Sequence, residues 1–220
     1  MRAGWRRVTI GDVCRIVSGT TPDTATAAYW NGPFAWITPT DLGTITDGVI
    51  NVTERTLTKA AISTYRLELV PPNSVVMSSR APIGHLAITA MEASLNQGCK
   101  GFVCGEQLNP NFLFHALRAH KARLQALGRG ATFAEVSKSA LETYSIEIPP
   151  IDEQVLVAAR LDAQTAVLRQ ATTMAREQSS DTKSLLDVVL GAFSPAIPRS
   201  VPHLVCRVHR QRLRGGLGHV

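Results

Sequence analysis

Apolar and polar positions follow two different rhythms along this chain, and the change falls near residue 109. Before it, short apolar runs alternate with turn formers. Ile10, Val13, Ile16 and Val17 follow Trp5 in an opening strand or turn and a short helix, which Gly19-Thr20-Thr21-Pro22 breaks. Residues 23–33 read as a loop ending in Asn31-Gly32-Pro33, a turn signal. Residues 34–37, 74–77, 86–88 and 101–104 read as short strands, with Gly and Asp turns around short β segments between 43 and 53. This spacing predicts an irregular, mainly antiparallel β region.

After Asn109 the period lengthens. Pro110 suits the first turn of a helix, Leu113, Ala116, Leu117, His120, Leu124 and Leu127 share one helical face, and Gly128 is the stop. A basic turn, Gly128-Arg129-Gly130-Ala131-Thr132, comes next. Ser137 is placed to cap a short helix. Residues 144–148 alternate like a last strand, and Pro149-Pro150 ends the globular part.

From 152 to 193 there is no Pro and the only Gly is Gly191. Asp152 and Glu153 sit where the helix dipole favours acids. A 3-4 spacing from Gln154 to Ala192 is apolar at eight of twelve positions, with Val157, Leu161, Leu168, Leu185 and Val189 as its larger members. At about 1.5 Å per residue such a helix reaches about 60 Å. It cannot bury that seam on one compact domain and calls for a partner helix. The expected fold class is α+β: an irregular, mainly antiparallel β domain over residues 1–150, one long coiled-coil-like helix over 151–194, and a basic, disordered tail over 195–220.

Composition adjusts this picture little. Apolar residues make up 45% of the 220, enough for a core, and charged residues 18%, too few for wholesale disorder. The net charge of +6 comes mostly from five arginines of the tail; residues 1–194 hold 18 bases and 17 acids. Residues 80–138 are basic, seven cations against three acids, and 139–194 are acidic, four against eight. Two parts with different partners follow from that division. Cys14, Cys99, Cys104 and Cys206 form no CxxC pair and no zinc spacing, so they read as reduced structural thiols of a cytoplasmic protein, with no metal and no cofactor. The N-terminal charges precede no apolar run, so no signal peptide is expected, nor any membrane span.

Catalytic motifs fare poorly. Asn109-Pro110-Asn111-Phe112 superficially resembles the target-amine site of amino-methyltransferases, but its third residue is Asn and no methyl-donor loop precedes it; a helix start is the better reading. Gly128-x-Gly130 is too short for a nucleotide fingerprint. Ser78, Ser79 and His85 lack a nucleophile elbow. His120 reads as a core-edge histidine, and Trp30 and Trp36 as buried structural aromatics rather than base-stacking ones.

Four stretches carry a family resemblance: Tyr29-Trp30-Asn31-Gly32-Pro33-Phe34-Ala35-Trp36-Ile37-Thr38-Pro39-Thr40-Asp41-Leu42, Ser78-Ser79-Arg80-Ala81-Pro82-Ile83-Gly84, Asn96-Gln97-Gly98-Cys99-Lys100-Gly101-Phe102, and Ile148-Pro149-Pro150-Ile151-Asp152-Glu153-Gln154. In content, order and spacing they resemble the specificity subunits of type I restriction–modification enzymes. The resemblance implies a non-enzymatic target recognition domain that reads double-stranded DNA, followed by one conserved helix. It implies as partners the modification subunit, which carries the adenine methyltransferase, and the restriction subunit. Members of that family usually carry two such units with antiparallel helices, and this sequence has one. A homodimer reading a symmetric interrupted site, pairing with a second half-subunit, or a truncated or degraded copy all remain open. Arg80, Lys100, Arg129 and Lys138 are the candidate DNA contacts, being cations on loop-like or exposed segments. Arg80 is also placed to brace its own loop. The competing reading is an interaction protein that does not read DNA, or an inactive remnant, that binds the modification subunit through its long helix.

Overall fold

A computed structural model of the chain describes residues 4–80, 82–128 and 134–193, with only the backbone described at 180 and 186–193. In order the elements are β1 (Arg6–Thr9), α1 (Ile10–Val13), β2 (Cys14–Ser18), a short 3-10 turn (Ala27–Tyr29), β3 (Trp30–Ile37), α2 (Pro39–Thr44), β4 (Val49–Ile50), β5 (Arg55–Leu57), α3 (Lys59–Tyr65), β6 (Val75–Ser78), β7 (Leu86–Thr89), β8 (Ala93–Leu95), β9 (Cys99–Cys104), α4 (Pro110–Ala119), α5 (Lys121–Ala126), α6 (Lys138–Glu142), β10 (Ser145–Ile148) and α7 (Ile151–Phe193).

The short strands find partners for their N–H and C=O groups in three sheets. A five-stranded sheet runs β2-β9-β6-β7-β4, a three-stranded one β5-β3-β8, and β1 pairs with β10. Most pairs are antiparallel, as the pattern predicts; β3–β8 and β4–β7 are parallel. Strand β6 shows why its run is continuously apolar. With a side-chain period of two, Val75 and Met77 enter one core with Phe102, Leu113 and Leu117, while Val76 enters another with Ile37, Leu42 and Leu95. A third small core gathers Trp30, Trp36 and Leu57.

Several local expectations hold and some do not. The Asn109 side chain accepts a hydrogen bond from the Phe112 N–H at 3.1 Å, so the Asn-Pro segment is a helix cap. Ser137 caps α6 by accepting from Ala140 N–H. The expected loop over 23–33 is instead entered by β3 at Trp30, and Asn31-Gly32-Pro33 is a bulge inside that strand. Asn31 adopts φ 63° there, and a Cβ on Gly32 would collide with the Leu57–Thr58 backbone. The single expected helix over 109–127 is two. His120 leaves helical geometry (φ −90°, ψ 10°) and its ring meets the Tyr144 hydroxyl at 3.1 Å.

Residues through Arg169 form one compact unit, and those from Gln170 a second. The start of α7 is tied into the first unit by polar contacts. Fully buried Gln154 accepts from Asn109 N–H and donates to the carbonyls of Gln107 and Pro149. Buried His115 meets Asp162 at 2.7 Å, and Val157 packs against the larger core. The expected tail over 195–220 lies outside the described residues.

Candidate nucleic-acid interface

The family-like stretches brace one another. Thr38 and Asp41 form a reciprocal cap on α2, and Asp41 also accepts from the Glu54 N–H at 3.0 Å. Ser78 Oγ donates to the Pro82 carbonyl and accepts from His85 N–H, closing the turn between β6 and β7. The backbone of Ser79 donates to the Gly98 carbonyl and accepts from the Val136 N–H. Asn96 accepts from Gly98 N–H and donates to Thr21 Oγ1. The Asn96 N–H also donates to the Ile37 carbonyl, so the first three stretches are a connected scaffold, and Ser78, Ser79 and His85 are structural members of it.

Two of the predicted cations lie within this scaffold. Arg80 Nε donates to Glu135 Oε2 at 2.9 Å, and Lys100 Nζ lies 3.3 Å from both Glu135 Oε1 and Ser79 Oγ. Lys100 is only 5% exposed, because its strand position on β9 turns it inward beneath the Ser79–Arg80 loop. Arg80 keeps part of its side chain at the surface. Burial pushes the Glu135 carboxyl up, but the Arg80 hydrogen bond and the Lys100 charge outweigh it and hold the group below its ordinary range. Lys138, at the start of α6, is exposed and 3.7 Å from Glu142. Arg129 lies outside the described residues. Of the four candidates, the structure brings Arg80 and Lys100 together and keeps Lys138 out of their ion pairs.

The helix-seam candidates divide by depth. Val157 and Leu161 are half-buried on the first unit, whereas Leu168 and Leu185 are exposed. The side chain of Val189 lies outside the described set. Trp30 and Trp36 are buried, stack edge to face, and carry the Arg55 guanidinium 3.5 Å over the Trp30 ring. Arg55 was not singled out by sequence, since nothing local marks it as the partner of two tryptophans.

Other chemistry is sparse. Among the described residues no group of three or more His, Cys, Asp or Glu side chains is arranged to hold a metal, and no helix is long and apolar enough to cross a membrane. Cys14 and Cys104 face each other across β2 and β9 with sulfurs 3.8 Å apart. That hydrogen bond and burial raise the Cys14 thiol well above its ordinary value, and burial pushes Cys99 up to about 12.

The model of the type I restriction modification DNA specificity domain matches residues 2–175. The chain belongs to that family. Among curated relatives, the type I restriction enzyme MjaIX specificity subunit of Methanocaldococcus jannaschii is 30% identical over 156 residues, covering 70% of this chain and 36% of that subunit. Two solved structures share the fold at 23% identity. One is a chain from a structure of the type I R-M system concerned with complex assembly and conformational transition (TM-score 0.70, 87% of this chain and 46% of that one). The other is the HsdS subunit from Thermoanaerobacter tengcongensis (TM-score 0.61, 78% and 40%). The chain spans less than half the length of these proteins. The α+β architecture expected for the family is the one observed, with its mainly antiparallel sheets and long C-terminal helix.

Proposed function

We propose that this chain supplies DNA sequence recognition to a type I restriction–modification complex and makes or breaks no covalent bond itself. The observation that carries the reading is the family match across residues 2–175, which includes both the β domain and the first part of α7. Residues 1–150 read DNA on this account. Helix α7 (Ile151–Phe193) docks against a second helix and the modification subunit. The methyltransferase and endonuclease activities belong to the modification and restriction subunits. The reading places the chain in the cytoplasm with its DNA.

Within the β domain we assign Arg80 and Lys138 to the DNA-facing surface, keep Arg129 as a further candidate DNA contact, and assign Lys100 to holding Glu135 so that Arg80 and its loop keep their position. Phosphate contacts need cations on exposed backbone, while base contacts favour the planar fork of Arg. On α7, exposed Leu168 and Leu185 are the strongest candidates for a helix partner, since apolar side chains of that size gain about 1.5–3 kcal/mol each on burial. A second copy of the chain would give two-fold symmetry and an interrupted palindromic site; a different half-subunit would give an asymmetric one. One observation favours the alternative, an interaction protein without DNA selectivity: Glu135 already answers both Arg80 and Lys100.

Selection from a randomised duplex library by the full chain at physiological salt separates the two. Enrichment of one motif supports sequence reading. Recovery of all sequences in equal proportion overturns it.

A further inference from the structure

We propose that Arg118, Lys121 and Arg169 form an anion site that holds a phosphodiester of the DNA backbone; this rests on the DNA-reading function above. The three cations come from α4, α5 and α7 and line one cavity of about 280 Å³, together with His85, Phe114 and Gly84. They are far apart in sequence, and folding alone brings them together.

Both arginines are set in place by neutral groups. Arg118 Nη2 donates to Thr165 Oγ1 at 3.0 Å, and its guanidinium lies 5.7 Å from the centre of the Phe114 ring. Arg169 Nη1 donates to the Asp47 carbonyl at 3.1 Å. The Lys121 stem lies against Gly84, where an added Cβ would stand 3.1 Å from Lys121 Cγ. Among the described residues, none of the three has a carboxylate within ion-pair distance, in contrast to Arg80 and Lys100. The same cavity contains His85, whose buried Nδ1 has no hydrogen-bond partner. Burial and the Lys121 charge hold that imidazole below its ordinary value, so it is neutral at physiological pH.

Three cations that line one cavity with no ion-pair partner among the described residues favour an entering anion. Arg forks meet phosphate oxygens in a bidentate manner and Lys meets them as a point charge, so the set suits a phosphate. The cavity is just below the range of about 300–1,000 Å³ that takes whole small-molecule ligands. It has room for one phosphate group. Arg118 and Lys121 are exposed, as contact with a duplex requires.

The test uses the full chain and two duplexes, one with the selected motif and one scrambled, with affinity measured across a range of KCl concentrations. Arg118→Gln, Lys121→Gln and Arg169→Gln are compared singly and combined. Each is expected to weaken both duplexes by the same factor and to lower the log–log salt slope by about 1, leaving the motif preference intact. Lys121→Gln is the safest single variant, because Lys121 makes no hydrogen bond or ion pair among the described residues. Thermal unfolding shows that each variant folds. An unchanged slope in the folded triple variant overturns the inference and leaves DNA reading standing. Normal DNA binding with lost co-purification of the modification subunit also overturns it, and makes the site a dock for an acidic protein segment. If the parent chain binds neither duplex, the function itself fails. Titration with inorganic phosphate, followed by the His85 resonance, then distinguishes a free-anion site from none, and the backbone assignment is withdrawn in both cases.

Discussion

Around Glu135 two cations share one carboxylate, while around the Arg118–Lys121–Arg169 cavity three cations share none among the described residues. Both clusters belong to the compact unit that ends at Arg169. In the first, the charge of Lys100 is consumed internally, its ion pair joining β9 to the segment leading into α6, and only Arg80 keeps part of its side chain at the surface. In the second, hydroxyl, carbonyl and ring partners fix the two arginines without neutralising them. The contrast separates charge that maintains a fold from charge left available to a ligand, a distinction that counting bases cannot make.

The largest effect should follow Glu135→Gln. It leaves the buried Lys100 ammonium without a counter-charge, a loss of about 3 kcal/mol, at the low end for a broken buried pair because the carboxylate is partly hydrated. Chemical denaturation measures it. The same variant should flatten the acid limb of the stability profile. The folded carboxyl is held below its ordinary value of 4.5, so its stabilisation is complete above the unfolded value and is lost as pH falls through the folded one. Lys100→Met should cost less, about 1–2 kcal/mol, since Glu135 keeps Arg80 as its partner and the buried charge itself is gone. A cost as large as that of Glu135→Gln would mean that Arg80 contributes nothing to the brace.

Asn109→Ala should cost about 1 kcal/mol by removing the cap of the helix that presents Arg118. Thermal unfolding checks this, and DNA salt dependence should be unchanged once the variant is folded. The smallest stability effect belongs to the open cluster. Lys121→Gln should stay within about 0.5 kcal/mol, as for exposed positions generally, while altering the salt slope. If Lys121→Gln destabilised the fold and Glu135→Gln did not, the assignment of the two clusters would be reversed.

Much of this architecture was legible before folding. Asn109-Pro110, Ser137 and Pro149-Pro150 mark element ends through capping and backbone restriction, and the apolar run at Val75–Met77 marks a strand buried on both faces. The misses are places where tertiary partners decide. Strands β5 and β8 are three residues each and exist because β3 lies between them. Lys100 is an interior residue because Glu135, 35 positions away, comes to meet it. Gln154 occupies the first position of an apparent coiled-coil seam, yet its amide is buried in contacts with Asn109, Gln107 and Pro149. Arg169 and Arg118 share a cavity across fifty residues of chain, with no local signal to pair them.

The most direct test of sequence reading is single-molecule mapping of methyladenine in DNA from cells that express the modification subunit with and without this chain. The account predicts one methylated motif that requires the chain and that disappears when residues 1–150 are exchanged for those of a relative with another target. Methylation of the same sites in its absence, or none in its presence despite a stable complex, would contradict it.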